Sequence, residues 1–480
     1  MSTQHPDNAS TPFFSDNPVI AGEAEITEAY YAFSHLGCGE QLWDCEGKES
    51  DAYVVKKLLA SQEEFFRKNV LGKDRFLTLR MPNPAIEKNE SKLIVETLSA
   101  IPRSFDVSRQ FYGSAPAPIF EVVLPMTSSA SELNNIYHYY RDFVAGQQHR
   151  KLNGITVKEW LGPFAPETIN VIPLFETRDH ILSSASIVEE YLSGKEQPYQ
   201  RVWFARSDPA LNYGHLAAVM YNKVALQRLK QLEGNLGIPL PPVIGLGSCP
   251  FRGHFKPTNV DNCIKGYPSV QTFTTQSAFK YDYPIDTVKR AFESLNESSA
   301  GKPFPVDEDA CIALGDLTAA QYAKEVALVA PIVNQLSGYI PKRRQRKLHI
   351  GLFGYSRTTA GVTLPRAITF CAALYSVGFP PELMGLGALA EKDAGALREN
   401  YRNFDIDLAE AAKYYNPDSA AVIPRELTIN AESFLSRMKF EPDGQHRAVT
   451  SEIIRNISHN RFSELPALVV QAARVRGFLG

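Results

Sequence analysis

Eight short runs rich in β-branched and aromatic residues constrain this chain more than any other feature: YAFSHL at 31–36, FLTLRM at 76–81, IFEVVLPM at 119–126, INVIPLFE at 169–176, RVWFARSD at 201–208, PVIGLGS at 242–248, SVQTFTTQ at 269–276 and LHIGLFGYSR at 348–357. Most are nearly continuous in apolar residues, with no two-residue hairpin turn between them, which is the pattern of parallel strands covered on both faces. Helical patterns at 51–70, 90–101, 128–145 and 214–237 separate several of them. Repeated strand-then-helix units predict an α/β fold, a (β/α)8 TIM-type barrel with additional helices, mainly in the C-terminal part. A doubly wound open sheet is the structural alternative. The chain shows no internal repeat, low-complexity tract or Gly/Ser-rich linker, so we expect one decorated barrel domain over residues 1–480. Its expected parts are an N-terminal arm at 1–25, barrel strands over 31–357 with a helical insertion at about 285–341, and a helical part over 366–480.

Composition narrows the function. Lys+Arg 50 against Asp+Glu 53 gives a formal net charge of -3, so no global positive field gathers nucleic acid. No stretch offers the ~18 consecutive apolar residues of a membrane span. The first sixteen residues lack the basic start and apolar core of a secretory signal. Six cysteines without a CxxC pair argue against a disulfide framework and a structural zinc site, which leaves the cytoplasm as the simplest compartment. The basic run KRRQRK at 342–347 reads as a solvated approach to the eighth strand.

In a parallel barrel the site lies at the C-terminal ends of the strands, and here those ends are polar. The fourth run ends in Glu176, followed by Arg178, Asp179 and His180; the fifth ends in Arg206, Ser207 and Asp208. Arg80 belongs to the second, Arg252 to the GSCPFRG that continues the sixth, Arg357 to the eighth and His35 to the first. Arginine offers a planar fork to carboxylate or phosphate, so several at one mouth, with Arg366 just beyond, point to an anionic ligand. Glu176 and Asp208 are hard oxygen donors of the kind taken by Mg²⁺ or Mn²⁺, ions that keep waters and accept substrate oxygens. The competing interpretation is local: Glu176 caps the following helix, Asp208 opens one before Pro209, each pairs with an arginine, and His35 is a satisfied core residue.

No GxxxxGK[ST] loop, no GxGxxG after a first strand, no GxSxG elbow and no HExxH helix occurs. The residues alone thus support a metal-assisted barrel enzyme acting on a small phosphorylated or carboxylated compound.

At these same positions the sequence resembles phosphoenolpyruvate carboxylase of the archaeal type, the short form, along nearly its whole length. The similar blocks are MSTQHPDN, AYYAFSHLGCGEQLWDCEGKESD, LGKDRFLTLRMPNP, FEVVLPMTSS, ARSDPALNYG, GSCPFRG, YPSVQTFTTQSAFKYDYP, LHIGLFGYSR and GVTLPRAITFCAALYSVGFPPELMGL. A more distant similarity to the long bacterial and plant enzymes links VIPLFET to their PLFET segment, FARSDPA to GYSDSAKD, TTQSAFKYDYP to TEQGEMIRFKY and LPRAI to RAIPW.

The resemblance implies carboxylation of phosphoenolpyruvate by bicarbonate to oxaloacetate and inorganic phosphate, an anaplerotic supply of C4 acids, with Mg²⁺ or Mn²⁺ and neither biotin nor nucleotide. It implies Glu176 and Asp208 as metal ligands. It implies Arg80, Arg252 and Arg366 as groups that hold phosphate, bicarbonate and the enolate, and matches His35 to the histidine of the long enzymes' TAHPTE segment. Arg206 and Arg357 are family-block residues assigned to substrate binding. A homotetramer and inhibition by a C4 dicarboxylate are also implied. The long enzymes carry a histidine in FHGRGG where this chain has CPFRG, with Pro250 and Phe251 in its place, so His35 or His254 is left as the histidine, if one serves. Bicarbonate attack on the phosphoryl group, through carboxyphosphate and an enolate, needs a closed pocket, and the loops near GSCPFRG and GYSRTTAG are expected to close it. Two rivals stand beside this: another metal-dependent barrel enzyme using phosphoenolpyruvate or oxaloacetate, and an inactive barrel acting as a binding protein. Charged strand ends oppose the second.

Overall fold

The computed structural model describes residues 1–47, 50–88, 91–114, 116–345, 357–359 and 361–480. Seven strands lie in chain order round one curled parallel sheet: β1 (Glu40–Asp44), β2 (Phe76–Arg80), β3 (Glu121–Leu124), β4 (Asn170–Phe175), β5 (Val202–Ala205), β6 (Pro242–Gly245) and β7 (Thr272–Phe273). Six of them fall in the expected runs. The first does not: YAFSHL belongs to the helix Glu23–Ser34 and its end. Ile26, Ala29 and Phe33 recur there at helical spacing and are buried. The strand is instead EQLWD, whose single apolar pair leaves little trace in hydropathy.

The ring closes through a segment expected to be an arm. Ser2 bridges in parallel both to Gln41 on β1 and to Thr275 just past β7. Its N–H donates to the Glu40 carbonyl at 2.7 Å, its carbonyl accepts from Leu42 N–H at 2.8 Å, and Thr3 N–H donates to the Thr275 carbonyl at 2.9 Å. The N-terminal residues therefore fill the eighth stave. Ser2, Thr3, Gln4, Asp7 and Asn8 are all buried, and Lys280 Nζ ties the stave down by donating to Ser2 Oγ at 3.0 Å and to the Thr3 carbonyl at 2.9 Å. The expected eighth strand, LHIGLFGYSR, lies almost wholly outside the described residues. Its last residue, Arg357, opens β8 (Arg357–Thr359), which pairs antiparallel with β9 (Val362–Leu364) in a sheet of its own.

Side chains alternate across each strand. Leu42, Val123, Ile172, Leu174, Trp203 and Val243 pack with Met1 inside the ring, while Trp43, Leu79, Val122, Val171, Phe175, Phe204 and Ile244 join the larger core shared with the helices. The floor of the ring is ionic: Arg201 donates to Glu40 at 2.7 Å and to Glu121 at 2.8 Å. A second core gathers the helix Glu308–Ser337, the helix Ala367–Ser376 and the later helices, and takes in Cys249 and Phe251 from the loop after β6. Of the KRRQRK run, expected to be solvated, Lys342 and Gln345 are exposed, Arg346 and Lys347 lie outside the described residues, and the middle pair of arginines is buried. Arg343 donates to the Asn8 and Ala9 carbonyls, and Arg344 pairs with Glu25 at 3.0 Å and Glu28 at 2.7 Å, both arginines being buried. They complete the charge of carboxylates on the helix Glu23–Ser34. The six cysteines are free and buried. Among the described residues no single helix is long and apolar enough to cross a membrane.

Candidate active site

A cavity of about 110 Å³ opens at the C-terminal ends of the strands, lined by Arg80, Arg206, Arg252 and Arg366, by Glu46, Glu176 and Asp208, and by His5, Ser207 and Gln276. Leu174, Trp203 and Ala205 give it an apolar floor. Six of the eight side chains singled out in the sequence therefore meet in one place. The four arginines outnumber the three carboxylates, a balance that an anionic ligand completes.

Glu176 directly follows β4 and is buried, with Oε1 accepting from Met126 N–H at 3.3 Å. It does not cap the next helix: Thr177 does so, accepting from His180 N–H. Asp208 sits half-buried in the first turn of the helix Ser207–Tyr213. Among the described residues no group of three or more His, Cys, Asp or Glu gathers as a closed metal cage. Two carboxylates on one cavity suit an ion that keeps waters and takes substrate oxygens as its remaining ligands.

The loop after β6 turns through Pro250–Arg252 and folds back, with Gly247 N–H donating to the Arg252 carbonyl at 2.8 Å. A Cβ on Gly247 would stand 2.7 Å from the guanidinium carbon of Arg252, so this approach requires glycine. Arg252 is buried and donates from Nε to Ser207 Oγ at 3.1 Å, from Nη1 to the Gly480 carbonyl at 2.7 Å, and from Nη2 to Gln276. Asp7 lies 3.5 Å from Nη1, so both chain termini reach this arginine. Phe251, standing where the long enzymes have histidine, is buried against Phe370 and Tyr322. Arg80 is held by Asp44 and Glu46. Arg366 precedes the helix Ala367–Ser376, whose first residues, Ala367 and Ile368, also line the cavity. That helix start has no side-chain cap, and its positive end adds to the anion-attracting set, which the sequence did not reveal.

The histidines differ from expectation. His35 is exposed at the end of the helix Glu23–Ser34, with Nδ1 2.7 Å from Ser34 Oγ, and it precedes β1, at the opposite end of the barrel from the cavity. His254 is buried with Nδ1 2.8 Å from Asp407, and is not among the cavity residues. The histidine at the cavity is His5, on the N-terminal stave. Thr3 Oγ1 donates to the Thr275 carbonyl at 3.2 Å and so acts as acceptor toward His5 Nδ1 at 3.0 Å. Nδ1 therefore carries a hydrogen, and in the neutral ring the lone pair is on Nε2. Only the MSTQHPDN block pointed there. Arg178 turns away to pair with Asp316 at 2.6 Å. The side chain of Arg357 lies outside the described residues.

Residues 1–480 match the family model described as phosphoenolpyruvate carboxylase. Curated proteins of that name are similar along the whole chain: 50% identity over 481 residues in Methanothermobacter thermautotrophicus, 48% over 482 in Methanospirillum hungatei and 48% over 484 in Pyrococcus furiosus. Each comparison covers 100% of this chain and 99% of the relative. With matches of that depth and span, this chain belongs to the phosphoenolpyruvate carboxylase family, in its short archaeal form.

Proposed function

We propose that the cavity bordered by Glu176, Asp208, Arg252 and His5 is where this chain carboxylates phosphoenolpyruvate with bicarbonate to give oxaloacetate and phosphate. The observation that carries this is the convergence of four arginines, two metal-suited carboxylates and one histidine on a single barrel mouth. The family works with a divalent metal; Glu176 and Asp208 would hold it, as Mg²⁺ or Mn²⁺, and the bound ion supplies a Lewis acid to substrate oxygens. Biotin and nucleotide have no part in the reaction.

Arg252, Arg366 and the start of the helix Ala367–Ser376 hold the phosphoryl group, spreading their positive charge over its equatorial oxygens. A bicarbonate oxygen attacks phosphorus, and the bond from phosphorus to the enol oxygen breaks, leaving carboxyphosphate and the enolate of pyruvate. His5 Nε2 takes the proton from the carboxyl group of carboxyphosphate, which then separates into CO₂ and phosphate. The enolate carbon attacks CO₂, and the proton returns from His5 to phosphate. The apolar floor of Leu174, Trp203 and Ala205 keeps water from protonating the enolate first. Arg80 and Arg206 orient the substrate anion, and Arg357 is retained as a substrate group on the resemblance alone.

Assembly as a homotetramer, inhibition by a C4 dicarboxylate and a cytoplasmic location complete the proposal on the same resemblance, the last supported by six unpaired buried cysteines. Turnover with ¹⁸O-labelled bicarbonate tests the chemistry. A single labelled oxygen in the released phosphate is expected; unlabelled phosphate contradicts attack by bicarbonate at phosphorus.

A further inference from the structure

Arg206 is a buried cation at the cavity, and among the described residues it has no carboxylate partner of its own. Among the described residues its Nε has no hydrogen-bond partner, its Nη1 reaches the Phe251 carbonyl at 3.5 Å, and the Tyr267 hydroxyl is a further neighbour of the guanidinium. The short contact is Nη2 to His215 Nδ1, at 3.1 Å. This imidazole contact is shorter than the one to the Phe251 carbonyl and helps to orient the guanidinium.

That imidazole is fixed in turn. A guanidinium only donates, so His215 Nδ1 must accept, and the neutral ring carries its hydrogen on Nε2. Nε2 lies 3.1 Å from Tyr401 Oη, which becomes the acceptor there. The Tyr401 hydrogen then goes to Asp407 Oδ2 at 2.6 Å, and Asp407 Oδ1 lies 2.8 Å from His254 Nδ1. Each donor direction dictates the next, and the chain ends on a buried carboxylate. Four parts of the fold contribute: the end of β5, the start of the helix His215–Leu236, the loop after β6, and the two helices Asp393–Asn400 and Phe404–Ala412 with the turn between them. Burial, then the charge of Arg206, lowers the His215 pKa to about 3, in accord with a neutral ring.

We propose that Tyr401 and Asp407 are positioning residues for the carboxylation, acting through neutral His215 to hold the Arg206 guanidinium at the substrate. This rests on the reading of the cavity as the phosphoenolpyruvate site. Removal of the Tyr401 hydroxyl leaves His215 Nε2–H buried without its acceptor and frees the ring to move its hydrogen to Nδ1, where it opposes Arg206.

The test is a double-mutant cycle in the full-length enzyme on kcat/KM for phosphoenolpyruvate, with Tyr401→Phe, Arg206→Lys and the pair, thermal midpoints being measured alongside. Tyr401→Phe is expected to lower kcat/KM about tenfold or more, the weight of a buried hydrogen bond. The double variant should lose no more than Arg206→Lys alone. Losses that multiply, or a Tyr401→Phe enzyme with undiminished kcat/KM, overturn the proposal. An Arg206→Lys enzyme of full activity overturns instead the placing of Arg206 at the substrate, and the proposal with it. If Tyr401→Phe does not fold, His215→Asn and His215→Leu decide: an asparagine oxygen can replace Nδ1 as acceptor and should recover about tenfold of what leucine loses. Equal losses in the two overturn the positioning role.

Discussion

Asp44 and Arg80 stand opposite each other in the parallel register of β1 and β2, and the guanidinium closes on the carboxylate with Nε 3.0 Å from Oδ1 and Nη2 2.6 Å from Oδ2. Glu46 adds a contact at 3.1 Å. Burial opposes the charge of Arg80, but Asp44 and Glu46 outweigh it and keep the arginine firmly protonated. Arg80 is thus built into the cavity wall before any substrate arrives. Asp44→Ala leaves a buried cation with reduced compensation and should destabilise the protein by about 3 kcal/mol. A lowered midpoint of urea unfolding checks this; an unchanged midpoint would mean that Glu46 alone suffices.

His5 and His35 separate the two possible bases. His5→Ala should lower kcat by about a hundredfold or more, the usual weight of a general base. His35→Ala, at the far end of the barrel, should stay near wild type. Steady-state rates of oxaloacetate formation decide between them, and the reverse order of effects would restore His35.

Chelation with EDTA should abolish activity, and added Mg²⁺ or Mn²⁺ should restore it. Glu176→Gln and Asp208→Asn each remove a hard anionic donor, so about tenfold more metal should be needed for half-maximal rate. Metal titration of initial rates measures this directly. An unshifted metal requirement in both variants would place the ion elsewhere.

Glu28 lies buried between Arg344, Lys280 and the Tyr281 hydroxyl. Burial by itself raises its pKa, yet Arg344, Lys280 and Tyr281 bring it down to about 2, below the ordinary 4.5. A depressed carboxylate stabilises the fold fully above its ordinary pKa and loses that stabilisation as pH falls from 4.5 toward 2. Glu28→Gln should therefore be less stable near neutrality and show a shallower decline in thermal midpoint through that acid range. A decline as steep as that of wild type would assign the acid limb to other groups.

The barrel was legible because most of β2 to β6 are apolar runs that need cover on both faces. β1 was not, because EQLWD holds one apolar pair and the preceding helix carries the stronger β-branched and aromatic signal. The closing stave was invisible for a different reason: Ser2, Thr3 and Gln4 are buried by pairing polar groups, and hydropathy registers only apolar burial. His5 was missed with it. Glu176, Asp208 and Arg252 were legible as charges at strand ends, where a parallel barrel collects its chemistry. The chain from Arg206 to Asp407 spans residues 206 to 407 and rests on contacts that no local pattern encodes.

Initial rates of oxaloacetate formation from phosphoenolpyruvate, with and without bicarbonate, in wild type and in a folded Glu176→Gln variant, test the placement of the reaction most directly. Turnover that requires bicarbonate and falls up to about tenfold in Glu176→Gln at limiting metal, as weaker metal binding demands, is the expected result. Undiminished turnover in that variant, or turnover indifferent to bicarbonate, would contradict it.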